Sequence, residues 1–295
     1  MRKNTNTLLT FKVTAPVELI AFIMDKMHGI SRNRAKALIS NRVVLVNNTI
    51  TTRPLTGLAP GDVVQLDRSR RKMSFRSNEL DIVYEDPYLL IIDKSSGLLS
   101  MSNNTRQQTV QTVLNRYLEK GGGRNTSHLV HRLDRDTSGL MVYAKDIQTQ
   151  QSLINGWQQL VTDRRYLALV EGELEKPKGY VQSWLTEDKH FVTHSSPVDN
   201  GGKYAVTHYN VLKSLNGYSL VECELETGRK NQIRVHMSDL GHPVVGDHKY
   251  GAASDPVKRL CLHAYKLCFV HPVTGKRLCF ETPVPACFER CLGEK

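Results

Sequence analysis

His131-Arg-Leu-Asp-Arg-Asp-Thr-Ser-Gly-Leu140, followed by Met141-Val-Tyr-Ala-Lys145, is the stretch on which the reading of this chain turns. It opens as a polar loop with two acids and two arginines, passes through Thr-Ser-Gly turn chemistry and ends in an apolar run that reads as a strand. A carboxylate carried on a loop braced by a rigid strand is well placed for chemistry. Of the two acids, Asp136 reads better as a turn cap with Thr137 and Ser138.

Outward from this loop, Val83-Tyr84 and Leu89 to Ile92 are strand-like, and Gln107 to Leu118 is helical. Arg165 to Glu171 reads as a short strand, Tyr204 to Val211 alternates, and Tyr218 to Glu226 alternates with Val221, Cys223 and Leu225 on one face. No regular strand–helix–strand repeat appears. The expected class is therefore α+β, built on a mixed, mainly antiparallel sheet rather than a doubly wound one.

The N-terminal quarter has a different texture. Residues 1–76 hold 14 Lys and Arg against 4 Asp and Glu, whereas the other 219 residues hold 26 against 25, so nearly all of the net charge of +11 is N-terminal. A local basic excess suits a polyanion, because lysines and arginines on phosphates release condensed counterions. RNA or DNA is the natural partner, with an anionic membrane surface or a solubilising tail as the alternatives. From Pro16, apolar residues at Val17, Ile20, Ile23, Met24 and Met27 recur at helical spacing and stop at Gly29. Ser31 can cap a second helix through Ile39, with Arg32 and Lys36 sharing its outward face. Val43 to Val46, the Asn47-Asn48 turn and Thr49 to Thr51 read as a hairpin, and Val63 to Leu66 as a last strand. Two helices and a small sheet, presenting Arg32, Lys36 and Arg42, resemble the S-four-type RNA-binding module over residues 12–68. Residues 69–79, rich in arginine and poor in apolar side chains, read as a linker to a larger domain over residues 80–295.

The signature H-R-L-D-x-x-T-S-G-L resembles that of the RluA-type pseudouridine synthases at every fixed position. The resemblance extends to Leu90-Ile-Ile-Asp-Lys94 with Gly97, to Arg165-Tyr-Leu-Ala-Leu-Val-Glu-Gly172, to Leu225-Glu-Thr-Gly-Arg229 with Gln232-Ile-Arg-Val-His236 and Leu240-Gly-His-Pro-Val-Val-Gly-Asp247, and to Leu262-His-Ala264. It implies a catalytic domain with a central cleft, and an activity that isomerises uridine in structured RNA, most readily large-subunit ribosomal RNA, with transfer RNA open. By position it implies that Asp134 is the catalytic aspartate, Tyr166 the active-site tyrosine and Arg234 the arginine paired with the aspartate. Such a carboxylate must stay ionised in a cleft dry enough to hold a base, so a guanidinium beside it makes chemical sense. Arg132 is expected to enter the space left by a flipped nucleotide. His131, Arg135 and Arg229 are expected to steer phosphates.

Two departures stand out. Ser95-Ser96 replaces a proline-containing step, and Lys230-Asn231 replaces a common Thr-His; both bear on substrate choice. The histidines lie in separate motifs without ligand spacing, so neither metal nor cofactor is expected. The six cysteines show no paired spacing, and reduced thiols are expected. With no long apolar run, the expectation is a cytoplasmic protein that does not use a membrane, and a monomer by default. The alternatives are an RNA-binding or ribosome-assembly factor without activity, and a carboxylate-based nucleosidase with Asp136 as its second acid.

Overall fold

A computed structural model describes residues 8–40, 43–51, 54–67, 77–104, 106–120 and 126–293. Arg42 and nearly all of the expected linker lie outside the described residues. The chain divides into two compact units, Met1–Phe75 and Arg76–Lys295.

In the first unit, helices Leu19–Lys26 and Arg32–Ser40 pack with a four-stranded antiparallel sheet. Its order is Leu8–Lys12, Val63–Asp67, Val44–Val46, Thr49–Ile50. Leu19, Ile20, Phe22 and Ile23 from the first helix and Ala35 and Ile39 from the second meet Val44, Val64 and Leu66 in one core. Each such burial stabilises by about 1.5–3 kcal/mol before conformational entropy is set against it. The first helix is shorter than its periodicity suggested. Val17–Glu18 is held instead as a strand against Gly57–Leu58, with Glu18 extended at φ −73°, so the helix cannot begin before Leu19. Ser31 does cap the second helix, accepting the Arg34 N–H at 3.3 Å. Asn47 and Asn48 take positive φ of 50° and 64° at the hairpin turn, which asparagine tolerates.

The second unit is built on an eleven-stranded sheet. Its path runs Thr193–Ser196, Lys178–Glu187, Lys203–Leu215, Tyr218–Leu225, Val161–Glu171, Leu262–Val270, Ser138–Ala144, Leu89–Lys94, Leu80–Glu85. Arg277–Glu281 and His128–Leu129 pair alongside this path. Every pairing is antiparallel except that of Ser138–Ala144 with Leu262–Val270. The α+β expectation is correct, with a mixed sheet.

All seven residues of Ser138–Ala144 are buried, which explains an uninterrupted apolar run in place of alternation. Ser138 and Gly139 therefore belong to the strand and not to a turn. Gly139, at φ +119°, lies so close to the parallel neighbour that a Cβ would fall 2.6 Å from the Ala264 nitrogen. Only glycine fits. The cysteine expectation is corrected at one place: Cys268 and Cys279, directly opposed on neighbouring antiparallel strands, are joined in a disulfide. Register, not sequence spacing, brings them together. Cys223 and Cys261 are buried free thiols.

Candidate active site

The loop bearing Asp134 is gripped from one side by residues 94–100. Lys94, only 1% exposed at the end of its strand, donates from Nζ to three carbonyls: Ser95 O at 3.0 Å, Leu98 O at 2.8 Å and Arg135 O at 2.8 Å. Burial pushes its ammonium down to about 8, with the carboxylate of Asp136 opposing that fall. Gly97 N–H also donates to Arg135 O, and the Ser100 hydroxyl donates to Leu133 O while accepting the Leu133 N–H. The unusual Ser95-Ser96 step takes part: Ser96 Oγ donates to Asp136 O at 2.6 Å and Ser95 Oγ to Asn78 O at 3.2 Å. With its backbone pinned at residues 133, 135 and 136, the loop holds the Asp134 side chain in one direction.

Across from it, helix Gln232–Asp239 presents Arg234. The helix is seated by buried polar contacts. Gln232 donates to Val206 O and the Thr207 hydroxyl, and accepts from the Thr227 hydroxyl and Arg229 N–H. His236 sits between the hydroxyls of Thr207 at 2.8 Å and Ser183 at 3.0 Å, held neutral by burial that brings it to about 4. Asn231, left-handed at φ 55° before the first turn, donates from Nδ2 to the Tyr250 hydroxyl and accepts from Arg234 Nη1 at 2.9 Å.

Arg234 does reach Asp134, Nη1 to Oδ2, at 3.5 Å. That is its weaker engagement. Nε and Nη2 donate in a fork to both oxygens of Asp247 at 2.6 and 2.7 Å, and the Asp247 side chain is 1% exposed. The ring of Tyr250 lies 4.9 Å from the guanidinium carbon. Burial works most strongly against the charge on Arg234, but the Asp247 hydrogen bonds together with the charges of Asp247 and Asp134 outweigh it, so its affinity for the proton is raised. Sequence reasoning missed Asp247 as the main partner, although it closes the Leu240–Asp247 motif; an acid ending the motif that directly follows the arginine's helix was the available signal.

Tyr166 is buried on strand Val161–Glu171. Burial raises its hydroxyl pKa, the nearby Arg164 opposes that rise and Asp134 adds to it. The group is thus a protonated hydroxyl at neutral pH. Asp134, Tyr166 and Arg234 line one open cleft of ≈ 380 Å³, with Leu225, Ile233 and Leu262 as apolar walls and Arg132 and Arg229 at exposed positions.

Other expected residues fall elsewhere. His131 is turned inward: its Nε2 accepts the Val142 N–H at 3.1 Å and its ring packs on Trp157 at 4.7 Å. Burial, helped by Arg164, brings it down to about 3, so it carries no charge to offer. Arg135 points to Asp136, 3.2 Å away, and Asp136 spends its carboxylate there instead of capping the turn. Arg229 donates from Nε to Tyr204 O at 3.0 Å. In the first unit Arg32 and Lys36 are exposed on their helix. No group of three or more His, Cys, Asp or Glu able to hold a metal occurs among the described residues. No helix among them is long and apolar enough to cross a membrane.

Comparison with known proteins supplies the rest. Residues 88–239 match the family model described as RNA pseudouridylate synthase. The chain is 37% identical over 252 residues to an uncharacterized RNA pseudouridine synthase, YhcT, of Bacillus subtilis, covering 83% of this chain and 81% of that protein. It is 34% identical over 302 residues to ribosomal large subunit pseudouridine synthase D of Nitrosomonas europaea, covering 96% and 86%. Among solved structures it is similar to human RNA pseudouridylate synthase domain containing 1, with a TM-score of 0.61 at 26% identity over 74% of this chain and 90% of that one. Fold and cleft thus define an RNA-modifying isomerase. The chain belongs to the RNA pseudouridylate synthase family, and within it to the RluA type.

Proposed function

We propose that Asp134 is the catalytic carboxylate, that Arg234 holds it charged and aimed, and that Tyr166 faces the uracil ring. The observation that carries this reading is the convergence of all three on one open cleft from a loop, a helix and a strand. The isomerisation breaks the bond between ribose C1′ and uracil N1 and forms one between C1′ and C5. The C5 proton leaves to solvent and N1 regains a proton, so nothing is oxidised. An ionised carboxylate serves whether it attacks the sugar, attacks the ring or takes the 2′ proton. Tyr166, kept protonated, offers a flat face for stacking and a hydroxyl that donates.

The substrate we infer is a uridine of large-subunit ribosomal RNA. Several relatives named as ribosomal large subunit pseudouridine synthases support this, and so does the basic charge concentrated in residues 1–76. Residues 12–68 act as an S-four-type RNA-binding domain that docks through Arg32, Lys36 and Arg42, raising the local concentration of RNA. The target nucleotide is flipped into the cleft at a cost of a few kcal/mol of unstacking, with Arg132 holding the space it leaves.

The test is release of tritium from RNA labelled at uracil C5. Ribosomal RNA from a strain lacking the gene should release tritium with the wild-type protein and none with Asp134→Asn. Release by Asp134→Asn at the wild-type rate would remove the carboxylate from the mechanism, and failure of the wild type on ribosomal RNA alongside success on transfer RNA would reassign the substrate.

A further inference from the structure

The strands Lys178–Glu187 and Thr193–Ser196 are joined by a turn that the chemistry above does not use. Its tip carries Phe191, 68% exposed and in the left-handed region at φ 61°. A bulky side chain seldom adopts that conformation, and nothing is gained here by burying it. Such strain persists only where surrounding bonds impose it, and it tends to mark functional positions. The bonds are present: Asp188 Oδ1 accepts the N–H of His190 at 2.8 Å and of Val192 at 2.9 Å, and Phe191 N–H donates to Asp188 O at 3.0 Å. From another loop, Lys249 Nζ donates to Phe191 O at 2.6 Å. The backbone that carries the exposed ring is thus held by four hydrogen bonds.

Two exposed cations flank it. Lys230 Nζ stands 5.1 Å from the ring centroid, also pairing with Glu187, and Lys249 holds the carbonyl. Each ammonium has three donors, so both retain capacity for a phosphate. The turn is also continuous with the cleft. Two residues beyond the ring, Thr193 N–H donates to the Tyr250 hydroxyl at 3.0 Å, which also accepts from Asn231. Arg229 and Asn231, on either side of Lys230, both line the cleft.

We propose that Phe191, with Lys230 and Lys249, forms a stacking platform for one unpaired nucleotide neighbouring the target uridine, the base lying on the ring and its phosphates meeting the two ammonium groups. An aromatic face interleaved with cations is the arrangement that proteins use for splayed-out RNA bases. The proposal rests on the RNA reading above and extends it to substrate choice. Lys230 occupies the position where the family resemblance breaks, so the cation over the ring belongs to this chain's own sequence.

The experiment measures kcat and KM for tritium release from C5-labelled ribosomal RNA of the deletion strain. Phe191→Ala is expected to raise KM about ten-fold or more, the loss of one stacked base. Phe191→Tyr should stay within about two-fold of wild type because it keeps the face. Phe191→Gly relieves the left-handed strain, so it should melt no lower than wild type and yet show the KM of Phe191→Ala. Lys230→Ala and Lys249→Ala should each lower the salt dependence of binding by about one phosphate contact. An unchanged KM in Phe191→Ala with an active wild type overturns the platform alone, as does a Phe191→Gly variant with wild-type KM or an effect confined to kcat. A wild type that releases no tritium from any cellular RNA overturns the RNA reading on which the platform depends.

Discussion

Arg234 gives two of its donors to Asp247, at 2.6 and 2.7 Å, and turns only its remaining Nη1 toward Asp134, at 3.5 Å. The arginine is thus a fixed object before any substrate arrives. A fork-to-fork pair with a buried carboxylate sets the plane of the guanidinium, and the reactive acid meets a cation whose direction it did not have to impose. Asp247 is therefore a positioning residue.

Asp247→Asn keeps the size of the side chain but gives up one acceptor and the charge. The expected result is a fall in kcat of about ten- to a hundred-fold with a smaller change in KM, as for an outer partner that orients a reacting group. Asp247→Ala should also destabilise the fold by about 2–4 kcal/mol, because the largely buried Arg234 would lose both of its short charge-assisted bonds and keep only Asn231 and the longer contact to Asp134. Single-turnover kinetics and urea melts check the two effects separately.

Lys94→Met keeps the apolar stem and removes the ammonium that holds three carbonyls. The orphaned acceptors are expected to cost about 2–4 kcal/mol, offset in part because a buried charge is also removed. Activity should fall beyond what unfolding explains, since Arg135 O, next to Asp134, keeps only the Gly97 N–H of its two tethers. Comparing kcat at a temperature where both proteins are fully folded isolates that part.

Gly139→Ala would drive a methyl group into the Ala264 peptide and force a left-handed φ on alanine. Neither backbone can withdraw without breaking the parallel pairing of Ser138–Ala144 with Leu262–Val270. A loss of more than about 4 kcal/mol, or failure to accumulate as folded protein, is expected. Circular dichroism of the purified variant decides it, with Gly217→Ala for comparison: its φ of +76° imposes the same kind of strain but its Cβ meets open space, so a much smaller loss there isolates the clash.

Acid should weaken the fold through buried imidazoles. Burial brings His131 down to about 3 and His236 and His263 to about 4, the last with help from Arg259. Below the ordinary value of 6.5 the unfolded chain takes up protons that the folded chain refuses. Their stabilising contribution is therefore complete above about pH 6.5 and is lost as pH falls toward 4, at up to about 1.4 kcal/mol per imidazole per pH unit. Melting temperature measured from pH 7 to pH 5 should fall. In His236→Gln, one proton should drop out of the slope.

Part of the site was legible because its motifs are local. The loop with Asp134, the strand with Tyr166 and the helix with Arg234 each lie within one short run of sequence, and each was named from that run. Local reading failed where function depends on what a side chain faces. His131 sits in the same motif as Asp134 and carries a titratable ring, yet its nitrogen is used up by Val142 N–H and its ring by Trp157. Asp136 looked like a turn cap and instead meets Arg135. Cys268 and Cys279 show no revealing spacing, because their proximity is a matter of cross-strand register.

The amino-acid sequence by itself determined the class of fold, the split between a basic N-terminal part and a nearly neutral remainder, and the short motifs that carry the candidate site residues. These follow from periodicity, composition and contiguous motifs, which short-range physics reads directly. Only the tertiary structure decided that Asp247 aims the arginine, that Lys94 holds the catalytic loop, and that Phe191 stands beside the cleft. Each of these depends on residues distant in sequence meeting at hydrogen-bonding or van der Waals range, where the energies that set geometry fall off within a few ångströms and leave no trace in local spacing.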